Sequence, residues 1–272
     1  MNNYIRKIEE PKGHIVVVGD IHGHWKETTQ LLNKIQCEID LFSPDNLVIF
    51  LGDYIDRGDE NREVLQYLIS LKKAFPNSIY LRGNHEDMFL DSLGYEGMYG
   101  NMHYYNGGSK VYEQYGVPEE YYGKNLDGTC RYYCTKEELK SCFPKEHIDF
   151  LLQTEYCVYS KNFIFVHAGI APREMDRLNV WAALNCGNNN WLTLEEQDQE
   201  DFVWIRDGFL GKIHRLNKIV VHGHTPAENV YFNMPYEIGL DTGIAYGRKL
   251  SAIALKMVDR NLESEVFEVE KI

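Results

Sequence analysis

No apolar run in this sequence approaches the roughly 18 residues needed to cross a bilayer, and the stretch from Met1 to Gly13 lacks the apolar segment of a secretory leader. Both absences lead to the expectation of a cytoplasmic protein that works away from membranes. Positive charge is scarce as well. Lys and Arg number 28 against 41 Asp and Glu, for a formal net charge of −13. Such a surface repels phosphate backbones and anionic headgroups, which sets aside nucleic acid and membrane as partners. Cysteine is limited to six residues with no Cys-x-x-Cys. Cys130, Cys134 and Cys142 lack the second close pair that would complete a tetrahedral zinc set, and reduced thiols are the simpler reading. Repeats, low-complexity tracts and shifts of composition are also missing. The 272 residues therefore read as one domain spanning 1–272.

Three short segments stand out against this background. They are Gly19-Asp20-Ile21-His22-Gly23, Gly52-Asp53-Tyr54-Ile55-Asp56-Arg57-Gly58 and Gly83-Asn84-His85-Glu86. Each follows an apolar run that reads as a strand, at His14 to Val18, Leu47 to Leu51 and Ser78 to Leu81, and each precedes a helical pattern. The run at 46–51 is apolar almost throughout, as in a strand buried on both faces. Val64, Leu65, Leu68, Ile69 and Leu71 are spaced for an amphipathic helix that Phe75-Pro76-Asn77 ends. Polar side chains at the carboxyl ends of successive strands are where open α/β sheets build their sites.

Residues of about 94–140 break the alternation. Ten of the 19 tyrosines lie between Tyr95 and Tyr133, with little apolar periodicity. This tyrosine-rich stretch reads as an insertion outside the core, either a cap packed by its rings or a lid facing the substrate. Strand patterns resume at Tyr156 to Ser160 and Phe163 to Val166, joined through Lys161-Asn162. A polar, acidic loop runs from Pro172 to Asp201. Further strands follow at Ile219 to Val221, Glu237 to Leu240, Leu250 to Leu255 and Glu265 to Val269. Alternating α and β followed by mostly β predicts an α/β fold of two packed mixed sheets with helices outside.

Residues two apart in an extended segment share a side, so Asp20 and His22 can hold one cation together. Asp53 has two carboxylate oxygens with which to bridge two cations. Asn84 offers a neutral carbonyl oxygen. His167 closes the apolar run Phe163-Ile-Phe-Val, and His224 lies in Val220-Val-His-Gly-His-Thr-Pro226, where His222 competes for the same role. These N and O donors without thiolate suit Mn²⁺, Fe or Zn²⁺. Two cations of this kind clamp a phosphoryl group and activate water for in-line attack. Arg57 can offer a bidentate fork to phosphate. His85 can protonate a leaving oxygen, with Asp56 orienting its ring. Arg206, in Val203-Trp-Ile-Arg-Asp207, reads as a second phosphate clamp, with surface Arg–Asp pairing explaining it almost as well. His24 reads as the start of the first helix, and His14, His103, His147 and His214 read as ordinary surface residues.

A lone His or Asp at a strand end is ordinarily a cap; three such turns in sequence are a pattern. Gly-Asp-x-His-Gly, Gly-Asp-x-x-Asp-Arg-Gly and Gly-Asn-His-Glu, followed by Val166-His167-Ala168-Gly169 and Gly223-His224-Thr225, resemble the signature of the phosphoprotein phosphatases among the calcineurin-like metallophosphoesterases. The resemblance covers most of 14–256. It implies a four-layer sandwich of two mixed sheets flanked by helices. It also implies Asp20 and His22 on one divalent metal, Asp53 bridging, and Asn84, His167 and His224 on the other, which favours His224 over His222. His85 would be the proton donor paired with Asp56, and Arg57 with Arg206 would hold the phosphate. The eukaryotic branch carries a Ser-Ala-Pro-Asn-Tyr-Cys-like segment where this sequence has Ile238-Gly-Leu-Asp-Thr-Gly243, and regulatory tails are not expected. The likeness is thus with the small bacterial and bacteriophage serine/threonine phosphatases, whose substrates are phosphorylated proteins or peptides and small phosphomonoesters.

Two competing functions follow. Relatives that cleave diadenosine tetraphosphate symmetrically read Gly-Asp-x-x-Ala-Arg-Gly, without the aspartate found here at 56, so Asp56 favours a monoesterase. An inactive phosphate-binding module would be expected to have lost a metal ligand, and all six are present.

Overall fold

The computed structural model describes residues 4–172, 192–214 and 216–272; strands and helices are numbered along these. The first sheet holds β2 (Ile15–Val18), β3 (Leu47–Phe50), β4 (Ser78–Tyr80), β12 (Lys249–Val258) and β13 (Asn261–Glu270), in the order β13-β12-β2-β3-β4. Strands β2, β3 and β4 are parallel and β12 is antiparallel to β2. The second sheet holds β1 (Ile5–Lys7), β7 (Cys157–Tyr159), β8 (Phe163–Val166), β9 (Ile219–His222), β10 (Tyr231–Asn233) and β11 (Glu237–Gly239), in the order β1-β7-β8-β9-β11-β10. Its centre, β8-β9-β11, is parallel.

The two-residue period of each strand assigns its side chains to layers. Ile15 and Val17 point between the sheets with Ile49, Leu51, Phe165, Val221 and Ile238. Val16, Val18, Val48 and Phe50 point the other way. There they meet Leu31 and Ile35 of α1 (Trp25–Gln36), Val64 and Leu68 of α2 (Asn61–Ala74), Phe89 of α3 (Asn84–Ser92) and Leu151 of α6 (Lys145–Leu152). On the far face of the second sheet, Ile164, Val166 and Val220 pack under Phe209 and under Phe202 and Val203 of α7 (Gln199–Trp204). Helix, sheet, sheet and helix form the expected four layers. His24 opens α1, as its position implied.

Three expectations need correction. The tyrosine-rich stretch is not outside the core. It folds into α4 (Ser109–Tyr115), a hairpin of β5 (Tyr122–Lys124) and β6 (Cys130–Tyr132), and α5 (Lys136–Ser141). Val111, Tyr112, Val117 and Leu139 are buried in the helix-side core. Rings can fill a core without helical or strand periodicity because each buries a large area and its hydroxyl finds a partner; Tyr112 and Tyr132 pair their hydroxyls at 2.8 Å. Second, His103, His147 and His214 are buried, and His14 is half-buried. Each of the three buried rings has a fixed polar partner: Asp56 at 2.9 Å, the Tyr115 hydroxyl at 2.6 Å and the Tyr236 carbonyl at 2.8 Å. Third, the loop expected from Pro172 to Asp201 is helical from Gln199, while its portion 173–191 lies outside the described residues.

Phe165 is fully buried between the sheets. Phe165→Ala is expected to lower unfolding free energy by about 3–5 kcal/mol, whereas Leu126→Ala at a fully exposed position should stay within about 0.5 kcal/mol. Urea unfolding of the two variants measures the contrast.

Candidate functional site

The carboxyl ends of β2, β3, β4, β8 and β9 meet at one edge of the sandwich, where the three motif turns are built on unusual backbone. His22, Asp53, Asp56, Arg57 and His224 all have positive φ, between 46° and 76°. This region is sterically poor for residues with a side chain, and a cluster of such residues marks a site held in shape by its surroundings. The support includes Glu86, which is wholly buried. Its carboxylate accepts backbone N–H groups from Asp53 and Tyr54 at 2.8 Å, Gly83 at 2.9 Å and Ile55 at 3.3 Å. One side chain thus ties the turn after β3 to the turn after β4. Burial pushes its carboxyl up to about 7, with the charge of Asp53 adding to the rise and the Gly83 N–H opposing it.

Asp53 is the hub. Its Oδ2 lies 3.4 Å from His22 Nε2, and its Oδ1 lies 3.4 Å from His167 Nε2. Burial opposes ionisation of Asp53, but His167 and then His85 and His22 outweigh it and hold the carboxyl well below its usual range. Two groups of donor atoms gather around it, each within 4.8 Å: His22, Asp53 and His85, and Asp53, His167 and His224. Asn84 Oδ1 joins the second, 3.1 Å from His167 Nε2 and 2.9 Å from His224 Nδ1. The far nitrogens of His22 and His167 face the carbonyls of Ile55 at 3.1 Å and Leu51 at 2.9 Å. These contacts leave each Nε2 as the donor atom toward the hub. His222 takes no part: its Nδ1 faces the Gly223 carbonyl and its ring packs on Phe209.

Asp20 belongs to neither trio. One oxygen accepts the His224 N–H at 3.0 Å, while Oδ1 is buried with no partner among the described residues. Gly223 makes this approach possible, because a Cβ there would collide with Asp20 Oδ1. Burial, and then the facing carboxylate of Asp241, raise Asp20 well above the ordinary range. A buried carboxylate oxygen without a donor, beside converging imidazole nitrogens, fits a divalent cation and is costly without one.

His85 and Asp56 form a buried pair, Nδ1 to Oδ2 at 2.6 Å. Burial opposes the Asp56 charge, yet His103 and His85 draw its carboxyl down to about 2. Arg57 reaches both rings, with one guanidinium nitrogen 3.1 Å from His22 Nε2 and the other 2.9 Å from His85 Nε2; the Tyr246 ring lies 5.4 Å from its guanidinium carbon. Arg206 donates from Nε to His224 Nε2 at 2.9 Å, which puts it at the site and leaves the alternative of pairing with Asp207 without support. All ten residues singled out from the motifs therefore lie at one edge.

Sequence reasoning missed two neighbours. Asp241 is buried beside Asp20, just beyond β11. Its signal was available, since it too follows an apolar strand. His103 had no such signal in its tyrosine-rich surroundings.

A model of the calcineurin-like phosphoesterase family matches residues 13–246, and the chain belongs to that family. Membership implies divalent metal ions, for which the two groups of donors around Asp53 are candidates. The chain is similar to serine/threonine-protein phosphatase 5 of Arabidopsis thaliana, 41% identical over 93 residues, or 33% of this chain and 16% of the relative. Segments matching such curated relatives span between 11% and 28% of their lengths. In fold it is similar to a serine/threonine phosphatase from Saccharomyces cerevisiae, with a TM-score of 0.61, 16% identity, and coverage of 99% of this chain and 85% of that one. It is also similar to a candidate diadenosine tetraphosphatase, with a TM-score of 0.57, 17% identity, and coverage of 97% of both. No helix among the described residues is long and apolar enough to cross a membrane.

His224→Ala is expected to lose at least one Mn²⁺ per chain in calorimetric titration, and His222→Ala to retain wild-type stoichiometry. The opposite order would place the ligand on His222.

Proposed function

We propose that this chain is a metal-dependent phosphomonoesterase acting as a serine/threonine protein phosphatase. Asp20, His22, Asp53, Asn84, His167 and His224 would hold two divalent cations; Mn²⁺ is the metal we favour, with Fe or Zn²⁺ as substitutes. When bound, such a pair neutralises phosphate charge and acidifies water. Residues 1–272 would form one catalytic domain working in the cytoplasm. The five described cysteines are free thiols, in keeping with that compartment.

The observation that carries the reading is the position of the buried His85–Asp56 pair against the Asp53 hub. His85 Nε2 lies 3.9 Å from Asp53 Oδ2, so a phosphate held at the hub would present its leaving oxygen to that nitrogen. Arg57 and Arg206 would clamp the phosphate oxygens from two sides, giving up their present contacts with His85, His22 and His224. Asp56 keeps the Nδ1 proton on His85 and stabilises the charged ring, so that Nε2 delivers a proton to the departing alkoxide. A serine or threonine alkoxide is a poor leaving group and requires that proton. The 2.6 Å Asp56 contact favours monoester cleavage over the symmetrical hydrolysis of diadenosine tetraphosphate. Phosphorylated proteins or peptides, and small phosphomonoesters, are the substrates assigned; nucleic acid and membrane are not partners.

Chelation is expected to abolish turnover of a phosphoserine peptide and Mn²⁺ to restore it. Full turnover by protein shown metal-free by elemental analysis would overturn the reading. Faster cleavage of diadenosine tetraphosphate in a parallel assay would favour the alternative.

Leaving-group dependence tests the acid. His85→Ala should lose roughly 10²–10⁴-fold on phosphoserine peptide and far less on nitrophenyl phosphate, whose leaving group departs without a proton. Equal losses with metal content intact would make His85 a phosphate ligand instead.

A further inference from the structure

The Asp56 carboxylate has two oxygens and two imidazoles. Oδ2 meets His85 Nδ1 at 2.6 Å, and Oδ1 meets His103 Nε2 at 2.9 Å. All three side chains are buried, with His103 and Asp56 at 0% exposure and His85 at 1%. His103 comes from the tyrosine-rich stretch, 47 residues from Asp56, and its ring is walled by Phe89 at 5.3 Å and Tyr112 at 5.5 Å between centroids.

The chain around His103 is docked on the same turn. The Arg57 N–H donates to the Gly107 carbonyl at 3.1 Å, and within the segment the Gly108 N–H donates to the His103 carbonyl at 3.1 Å. Gly107 has φ 115°, and a Cβ there would lie 2.6 Å from Arg57 Cγ, so the backbone approaches the turn as closely as glycine alone permits. Segment 103–108 thus grips Asp56 by its side chain and Arg57 by its backbone.

A buried carboxylate with one oxygen bonded keeps rotational freedom and an unmet acceptor. With both oxygens bonded to buried, packed rings, its plane is set, and so is the direction in which it holds His85. We propose that His103 is a positioning residue for proton delivery by His85: it occupies the second oxygen of Asp56 and thereby fixes the first on His85 Nδ1. This rests on the reading of His85 as the acid, and it gives the tyrosine-rich stretch a role in the reaction beyond filling the core.

The test combines a spectroscopic readout with kinetics. The His85 Nδ1 proton, held in a short hydrogen bond, is followed by proton NMR without substrate and assigned by its loss in His85→Asn. His103→Ala should shift or broaden that resonance, and His103→Gln, whose amide N–H reaches the same place, should restore it. On phosphoserine peptide His103→Ala should lower kcat roughly 10–100-fold, the usual scale for a partner acting through another group. KM should be unchanged, the loss on nitrophenyl phosphate should be several-fold smaller, and His103→Gln should recover most of the rate. If His103→Ala does not fold, His103→Met keeps bulk without a donor and replaces it. An unchanged resonance in the donor-less variant, or equal rate losses on the two substrates, overturns the proposal. Should wild-type protein hydrolyse neither substrate, or His85→Ala show no leaving-group bias, the reading of His85 as acid fails. In that case the resonance alone decides whether His103 fixes the pair.

Discussion

Four backbone N–H groups converge on the buried carboxylate of Glu86, and the rest of the site depends on that convergence. The strands place Asp53 and Asn84 on neighbouring turns, but turns at strand ends are free to wander unless their polar backbone is satisfied. Glu86 satisfies Gly83, Asp53, Tyr54 and Ile55 at once, and so locks two turns in one register. Asp53 can then keep a positive φ and aim one oxygen at each group of imidazoles. The clamp also starts α3 at Asn84, which directs Asn84 toward one side and His85 toward the other.

Charge is distributed unevenly inside this frame. Asp53 and Asp56 are surrounded by imidazoles that overcome the cost of burying a carboxylate. Asp20 and Asp241 are both raised above the ordinary range by burial first, which the opposing pull of His167 on both and of Arg57 on Asp241 does not offset. The two halves call for different partners. Asp56 is complete with its two histidine hydrogen bonds; the space between Asp20 and the Asp53 hub is complete when divalent ions, implied by membership of the phosphoesterase family, share it. A positively charged side chain beside Asp20 would settle the same imbalance while closing the space to those ions.

The tyrosine-rich stretch links the periphery to this centre. Its rings bury into the helix-side core and against one another, Tyr104 on Tyr122 at 4.5 Å and Tyr112 on Tyr122 at 5.5 Å. That packing holds His103 and Gly107 against the Asp56–Arg57 turn. Rigidity at the pair of His85 and Asp56 therefore draws on residues outside the motifs.

What could be read from the sequence was what local chemistry encodes. Apolar runs at Ile15–Val18 and Leu47–Phe50 specify strands because a strand buried on both faces must be apolar at every position, and the parallel strands with their intervening helices followed. Asp20, His22, Asp53, Asn84, His85, His167 and His224 were recognisable because each stands just past such a run, where side chains at strand ends converge. The burial of residues of about 94–140 could not be read, because rings of mixed polarity carry no period that separates inside from outside. The contacts of Arg206 with His224 and of His103 with Asp56 were equally hidden. Each joins groups far apart in the chain, 47 residues in the last case. A hydrogen bond depends on separations of about 3 Å, which are decided only when sheets, turns and insertion pack together.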